Sequence, residues 1–186
     1  RKRASHIVQK YVRPLPWLQH RIDAANHVQH RKCLAMHVRL TDKASGREKK
    51  NYSQYLKHAL VYVQATQHRY PVYLATDDAR VVAPIREALA PALLIMQEDT
   101  VRSYSDTTPV FDILSNDRHR SNTEALVEMY AMAKCHFFIH GYSTMSEAVV
   151  YISPQLHNYS VNIDDPNQMT EDELRELIIQ EDMRDT

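Results

Sequence analysis

Glycine is scarce in this sequence, since Gly46 and Gly141 are the only two among 186 residues. Glycine-rich loops let a backbone approach a phosphate closely, and both the GxGxxG fingerprint and the Walker lysine loop depend on them. Neither motif occurs here. The sequence therefore disfavours a dinucleotide oxidoreductase and a P-loop ATPase.

An excess of charge of one sign is also missing, because 23 Lys and Arg residues balance 23 Asp and Glu residues. A neutral chain gives no reason to propose nucleic acid or an anionic membrane as a partner, so any cationic site must be local. No apolar run approaches the ~20 residues that span a bilayer, and no signal peptide is recognisable at the start. We expect any membrane attachment to come from a segment outside this sequence.

Cysteine is limited to Cys33 and Cys135, which lie in or beside apolar segments without CxxC or Cys/His ligand spacing. Two buried free thiols are the expectation from this pattern. The eleven histidines are scattered along the chain without the spacing of a zinc site. We therefore predict no bound metal ion.

Short apolar runs alternate with segments of helical periodicity, and five of these runs have the length and composition of buried strands. They lie at residues 33–36, 72–75, 92–96, 136–139 and 159–163. Strand–helix alternation is the signature of a doubly wound parallel sheet. The predicted fold class is α/β, a Rossmann-like parallel sheet with helices on both faces.

Capping residues and prolines mark the predicted helix boundaries. Pro14 and Pro16 break a helical lead-in, and Asn51 or Ser53 can cap the helix after the first strand. Three further helix starts have the pattern of a capping box: Ser121 with Glu124, Thr144 with Glu147, and Thr170 with Glu173.

The predicted organisation has three parts: a helical lead-in over residues 1–31, a Rossmann-like domain over 32–165 and a C-terminal helix over 166–186. Residues 97–122 are polar and largely aperiodic. A connection that long inside a compact domain is more often functional or mobile than neutral.

The first predicted strand leads into residues 36–43 (MHVRLTDK), which end in a polar loop. The carboxyl ends of strands in open α/β sheets are where ligands bind. Arg39 offers a planar fork of donors, Lys43 a point charge, and His37 a hydrogen bond near neutral pH. The segment predicts an anionic ligand. The alternative is a solvated charged loop.

Two other predicted strands also end in polar residues, at 76–78 (TDD) and at 141–144 (GYST). These ends converge on one edge of a parallel sheet, so a common site is expected. Residues 141–144 precede a helix and supply backbone N–H groups, hydroxyls and the positive end of a helix dipole, which suit a phosphate. Without glycine-rich loops, this pattern suits a nucleotide sugar, whose diphosphate leaves during glycosyl transfer.

Each of these side chains also has a simpler interpretation. Thr144 alone is most simply a helix cap, and Asp77 and Asp78 can cap the helix that follows them. A carboxylate such as Glu128, in the middle of an amphipathic helix, is usually solvated.

Four segments follow one another in a recognisable order: residues 12–18 (VRPLPWL), 37–43 (HVRLTDK), 72–78 (VYLATDD) and 128–144, the last beginning EMY and ending YST. In order and spacing they resemble the α1,6-fucosyltransferases that place core fucose on N-glycans, and more distantly the rhizobial chitin-oligosaccharide fucosyltransferases. The resemblance implies a GT-B-like enzyme that binds GDP-fucose in its C-terminal Rossmann half. It also implies transfer of fucose with inversion and without a metal ion.

The resemblance assigns roles residue by residue. Arg39 is expected to bind the diphosphate, and His37 to contact the nucleotide. Positions that the family needs for activity are matched here by Asp42, Lys43, Tyr55, Asp77 and Asp78.

Four more residues match the family's site. Ser143 and Thr144 are expected to hold the β-phosphate. Glu128 stands where the family has an aspartate that recognises guanine. Glu48 is the nearest candidate for the general base, one position away from the family's glutamate. The predicted catalytic set is thus Arg39, Lys43, Asp42 and Glu48.

The predicted function is that of a GDP-fucose-binding domain of an inverting α1,6-fucosyltransferase-like enzyme that transfers fucose to a GlcNAc-containing glycan. GDP-fucose is the donor substrate, and no cofactor is expected. The alternative is a catalytically degenerate domain that acts as a structural or binding module in a larger assembly. Leu40 favours that alternative because it replaces a family arginine, and we expect Leu40→Arg to strengthen nucleotide binding.

Two glycosylation sequons, Asn51-Tyr52-Ser53 and Asn158-Tyr159-Ser160, are present. They are compatible with a Golgi lumen, which is where an active member of the family is expected. The family's N-terminal half, coiled coil and SH3-like domain are not part of this sequence.

Overall fold

A computed structural model of the protein describes residues 2–25, 32–41, 51–105 and 107–184. Its five strands are β1 (Leu34–Val38), β2 (Val72–Thr76), β3 (Leu94–Ile95), β4 (Phe137–His140) and β5 (Ser160–Asn162). They form one sheet in the order β3-β2-β1-β4-β5, and every neighbouring pair is parallel. The predicted α/β fold class with a Rossmann-like parallel sheet is confirmed.

The central strands are buried along their whole length because helices cover both faces of the sheet. Every residue of β1 and β2 is buried. Each predicted strand overlaps an observed one, although β3 keeps only two residues of the predicted run. The sheet therefore provides a rigid base on which the loops after its strands are placed.

Eight α-helices are found in the described residues: α1 (Lys2–Tyr11), α2 (Pro16–Ala25), α3 (Tyr52–Ala65), α4 (Val82–Leu89), α5 (Val110–Ile113), α6 (Arg118–Ala133), α7 (Thr144–Ile152) and α8 (Glu171–Arg184). Apolar residues of α3, α4 and α8 pack on one face of the sheet. Those of α6 and α7 pack on the other. A smaller cluster of Leu18, Ile22 and Val127 joins α2 to α6. None of the helices in the described part of the chain is long and apolar enough to cross a bilayer.

Two of the predicted helix starts are confirmed. The Asn51 side chain accepts a hydrogen bond from the Ser53 amide at 3.2 Å and caps α3. At α8, the Thr170 hydroxyl donates to Glu173 Oε2 at 2.8 Å, and the Glu173 amide donates back to Thr170 Oγ1 at 3.3 Å.

The other two predicted capping boxes are wrong. Helix α6 begins earlier, where the Asp117 carboxylate accepts from the Arg120 amide at 2.9 Å, so Ser121 lies inside the first turn. Helix α7 is capped by Ser143, whose Oγ accepts from the Ser146 amide at 3.0 Å, and Thr144 becomes its first helical residue. In each case a second good capping residue stood nearby in the sequence.

The expectation of two free thiols is also wrong, because Cys33 and Cys135 form a disulfide with a Cα–Cα distance of 4.7 Å. Cys33 directly precedes β1 and Cys135 lies two residues before β4, and in these neighbouring strands Leu34 lies opposite Phe137. Pairing of β1 with β4 brings the sulfurs together across a sequence separation of 102 residues. No local spacing motif signals such a contact.

Helix α8 is fixed to the rest of the domain through Asp182. Its carboxylate accepts from the Tyr70 hydroxyl at 2.8 Å, pairs with Lys32 Nζ at 3.4 Å and pairs with Arg69. Burial raises the pKa of Asp182, but the hydrogen bonds from Tyr70 and Arg69 together outweigh it and hold the pKa below its usual range. The carboxylate therefore contributes stability only while it is ionised.

We expect Asp182→Asn to lower the free energy of unfolding by about 1–2 kcal/mol at pH 7, since it weakens charged hydrogen bonds that are partly exposed to solvent. The difference from the wild type should shrink as the pH falls below about 4 and passes through the lowered pKa of Asp182. It should vanish at pH values below that pKa. Urea unfolding at several pH values measures both effects. Glu176→Gln, an exposed change on the same helix, is the control. An equal loss at pH 7 and pH 3 would contradict the assignment.

Candidate functional site

A cleft of about 180 Å³ lies at the carboxyl edge of the sheet, where β1 and β2 end. Four of the predicted site residues line it together: His37, Arg39, Asp77 and Glu128. Its opposite wall is formed by α6 and by the long connection before it, which contributes Thr100, Val101, Val110 and Phe111. The expectation that polar strand ends converge on one edge is met for β1 and β2.

Asp77 holds the backbone that carries Arg39 in place. Its Oδ1 accepts from the Leu40 amide at 2.8 Å, and its Oδ2 accepts from the amide and the hydroxyl of Thr41 at 3.1 and 2.7 Å. Both carboxylate oxygens are thus engaged within the protein. That Asp77 also contacts a nucleotide stays a prediction, whereas its support of the loop after β1 is a property of the fold.

Asp78 has a different partner and does not line the cleft. Its side chain is 2% exposed, accepts from the Arg80 amide at 2.9 Å and forms a two-point ion pair with the Arg80 guanidinium at 2.9 and 2.6 Å. The alternative interpretation of Asp78 as the cap of the following helix is confirmed for the 3₁₀ turn Ala79–Val81.

Leu40 points away from the cleft. It is 7% exposed and belongs to the apolar cluster that packs α3 against the sheet. An arginine in this orientation would place a guanidinium in the core, where an unpaired charge is strongly unfavourable. The expectation that Leu40→Arg strengthens nucleotide binding is therefore not supported by the geometry.

Tyr55 lies on α3, is fully buried and does not line the cleft. Burial, reinforced by the nearby Asp164 carboxylate, raises the pKa of its hydroxyl well above the usual range, while the backbone of Arg39 acts in the opposite direction. Tyr55 therefore lies close to the segment that carries Arg39, in the core beneath the cleft.

His37 is joined to the start of α7 by two serines. Its Nδ1 lies 2.9 Å from Ser146 Oγ and 3.5 Å from Ser143 Oγ, and the two hydroxyl oxygens are 3.0 Å apart. The Ser143 hydroxyl, predicted to hold a β-phosphate, is thus occupied in capping α7. Thr144 is exposed in the first turn and, like Ser143, does not line the cleft.

At the predicted phosphate site, residues 141–144, some of the hydrogen-bonding groups are already engaged by other residues of the protein. The Tyr142 amide donates to Asp164 Oδ2 at 2.7 Å, so this N–H is not free. Sequence reasoning missed both Asp164 and Ser146. Asp164 follows β5, and the same strand-end rule that selected residues 76–78 would have found it.

Glu128 is the most unusual group in the cleft. It is 8% exposed, and its Oε1 has no hydrogen-bond partner among the described residues. Arg102 Nη2 is 4.0 Å away, too far for a hydrogen bond, and the Arg102 guanidinium donates instead to the carbonyl oxygens of Thr100 at 3.1 Å and Gln97 at 3.3 Å. The alternative that Glu128 is solvated is wrong.

Burial raises the pKa of Glu128 to about 8; the Arg102 guanidinium opposes the rise, and the carboxylates of Glu124 and Asp77 add to it. Other polar atoms close by share its lack of partners. Among the described residues these include the Tyr73 hydroxyl, Thr100 Oγ1 and Arg102 Nε. Buried polar groups are nearly always hydrogen-bonded, so such a cluster beside an open cleft is suited to bind water or a polar ligand.

Glu124, predicted only as a capping-box partner, secures the wall of the cleft. It is 4% exposed, accepts from Arg120 Nε at 2.6 Å and accepts from the Val101 amide at 3.2 Å. These bonds attach the connection after β3 to α6. Glu128 lies on the same helix, so its position relative to that wall is fixed by these bonds.

Three of the predicted catalytic residues, Asp42, Lys43 and Glu48, lie outside the described residues. Within the described ranges, no group of three or more His, Cys, Asp or Glu side chains is arranged to hold a metal ion.

Comparison with known proteins adds no family to this geometry, because no protein-family model matches the chain and no curated protein matches it. The resemblance to α1,6-fucosyltransferases therefore stays a prediction from the motifs. Among the described residues that line it, the cleft offers the Arg39 guanidinium, the His37 imidazole, three carboxyl groups and an apolar wall. Two of these carboxyl groups, those of Glu124 and Glu128, are buried.

Proposed function

We propose that this domain binds the guanine nucleotide of GDP-fucose and serves an inverting α1,6-fucosyltransferase-like enzyme. The observation that supports this most directly is the buried Glu128 in the same cleft as Arg39, with an oxygen that has no hydrogen-bond partner in the described part of the chain. A site of this kind is suited to a ligand that has an anionic end and a polar ring that donates hydrogen bonds.

Guanine has the complementary pattern of donors. Its N1–H and exocyclic N2–H lie side by side, and one ionised carboxylate accepts both. Adenine has a bare ring nitrogen in place of N1–H, which would face the Glu128 oxygens with a lone pair. An ionised, buried acceptor left unpaired by the wrong ligand gives strong discrimination, so Glu128 selects guanine over adenine once its carboxyl group is ionised.

The remaining parts of the nucleotide match the other walls. Arg39 is a forked donor suited to diphosphate oxygens, and Asp77 fixes the backbone beside it. Val101 and Phe111 offer apolar surface to a base or ribose. His37, held by Ser146, faces the same cleft.

The transfer step follows from the resemblance. An acceptor hydroxyl of a GlcNAc-containing glycan attacks the anomeric carbon of fucose, the bond to GDP breaks, and configuration inverts. Arg39 and Lys43 stabilise the departing diphosphate, Asp42 supports that site, and a carboxylate such as Glu48 accepts the hydroxyl proton. No metal ion takes part in this scheme. The Golgi lumen is the proposed compartment, and a disulfide-bonded domain suits it.

The burial of Leu40 favours the second candidate, a degenerate domain that acts as a binding or structural module in a larger assembly. In the family the matching arginine adds a cation, and here the side chain belongs to the core. Loss of one contact to a charged transition state costs about 3 kcal/mol, which would leave nucleotide binding intact and slow the transfer.

Calorimetric titration with GDP, GDP-fucose and ADP, at a pH above the pKa of Glu128, tests the proposal. We expect the two guanine ligands to bind, ADP to bind much more weakly, and Arg39→Ala to weaken GDP binding about 10- to 150-fold, as for a lost charged hydrogen bond. Arg175→Ala, an exposed arginine on α8, is the matched control and should bind normally. Absence of heat with either guanine ligand, from protein shown to be folded, would overturn the proposal in favour of the structural module.

A further inference from the structure

The two sequons occupy different edges of the sheet. Asn51 caps α3, which starts at the carboxyl edge, the edge that holds the cleft. Asn158 follows the 3₁₀ turn Pro154–His157 and lies just before β5, at the amino edge. The two asparagines therefore differ in what a bulky modification on each would obstruct.

Asn158 is exposed, and its environment leaves the side chain uncommitted. Its backbone amide donates to the Gln155 carbonyl at 3.1 Å in an αR turn, and no hydrogen bond of its side-chain amide is found among the described residues. By contrast, the Asn51 side chain accepts from the Ser53 amide at 3.2 Å. The sequon at Asn158 thus presents its amide nitrogen to solvent on a turn, whereas the other is part of a helix cap.

The disulfide gives independent support. Cys33 and Cys135 are 1% and 3% exposed, so the bond is buried in the fold and not a surface adduct. Disulfides of this kind form in oxidising compartments, and in the endoplasmic reticulum the same lumen contains the machinery that attaches N-glycans. A chain that forms this disulfide there also meets the glycosylation enzyme.

We propose that Asn158 is an acceptor site for an N-linked glycan. The co-reactant is a lipid-diphosphate-linked oligosaccharide. The Asn158 amide nitrogen forms a bond to the anomeric carbon of its first GlcNAc, the bond from that carbon to the diphosphate oxygen breaks, and the lipid diphosphate leaves. The amide nitrogen loses one proton to a base, and nothing is oxidised or reduced. The glycan stands on the edge opposite the cleft, so it leaves nucleotide access open.

The test is peptide mapping of the chain secreted from mammalian cells behind a cleavable signal peptide. Peptide N-glycosidase in H₂¹⁸O should leave an ¹⁸O-labelled aspartate at position 158 in most molecules. Asn158→Gln and Ser160→Ala should each remove the mass of one glycan, and Ser160→Thr, which keeps the sequon, should retain it. Asn51→Gln is the matched control and should leave the glycan at Asn158 unchanged.

An unmodified Asn158 peptide in secreted wild-type protein with its disulfide formed would overturn the proposal. Label found only at position 51 would overturn it equally. The mapping uses the wild-type chain, so it does not depend on whether a variant folds. It also involves no nucleotide, so its failure would leave the proposed GDP-fucose site untouched.

Discussion

The affinity of the cleft for GDP-fucose should rise by roughly 50-fold between pH 6 and pH 8, the change expected for binding that needs one ionised group with a pKa near 8. The group is Glu128, whose burial raises its pKa to about 8. Guanine donates two hydrogen bonds and needs the ionised carboxylate to accept them both. Below the pKa, binding must therefore release one proton, and each pH unit weakens the complex about tenfold.

Titrations in buffers of different ionisation enthalpy measure that proton directly. We expect close to one proton released per GDP-fucose at pH 6.5. GDP-fucose is the better probe because both phosphates of its diphosphate are esterified, whereas the terminal phosphate of GDP titrates near pH 6. Glu128→Gln should remove the pH dependence and bind more weakly than the wild type at pH 8. Glu87→Gln, an exposed change on α4, should behave as the wild type. A flat pH profile in the wild type would contradict the role given to Glu128.

The same group links the stability of the unliganded protein to pH in the opposite sense. Between about pH 4.5 and pH 8 the folded state holds a proton on Glu128 that the unfolded state has released. The folded state binds more protons over this window, so this contribution to the free energy of unfolding falls as the pH rises. The high pH that favours ligand binding is therefore also the pH at which Glu128 lowers the free energy of unfolding of the unliganded protein most.

The Cys33→Ala/Cys135→Ala double variant should lose about 2–5 kcal/mol of unfolding free energy, since the bond closes a loop of roughly one hundred residues in the unfolded chain. Much of the effect is on the unfolded state, whose freedom the crosslink restricts. Urea unfolding should therefore show a lower midpoint and a steeper dependence on denaturant, because the uncrosslinked chain exposes more surface.

Reductant provides the control for that comparison. In the presence of a thiol-free reductant, the wild-type protein should have nearly the same free energy of unfolding as the double variant. The remaining difference should be the contribution of the two buried sulfur atoms that the variant lacks. The double variant itself should not respond to reductant. A wild-type midpoint that is the same with and without reductant would show that the disulfide contributes nothing to stability.

The sequence by itself determined the layered architecture. The runs at 72–75 and 136–139 are short, apolar and separated by helical periodicity, and strands with that pattern are buried on both faces of a parallel sheet. The position of Arg39 and Asp77 follows from the same logic, because the carboxyl ends of β1 and β2 share an edge. Hydrophobic periodicity is a local property, so it is readable from the chain alone.

Only the tertiary structure decided which polar groups are buried and with whom they pair. Glu124 and Glu128 lie one turn apart on α6, yet Glu124 accepts two hydrogen bonds and Glu128 has an oxygen without a partner among the described residues. Cys33 and Cys135 are 102 residues apart, and only the pairing of β1 with β4 joins them. Ser143 and Thr144 are both good helix caps. Ser143 is the one that caps α7, and its hydroxyl also contacts His37 and Ser146. Burial and pairing depend on residues distant in sequence, and no local pattern contains that information.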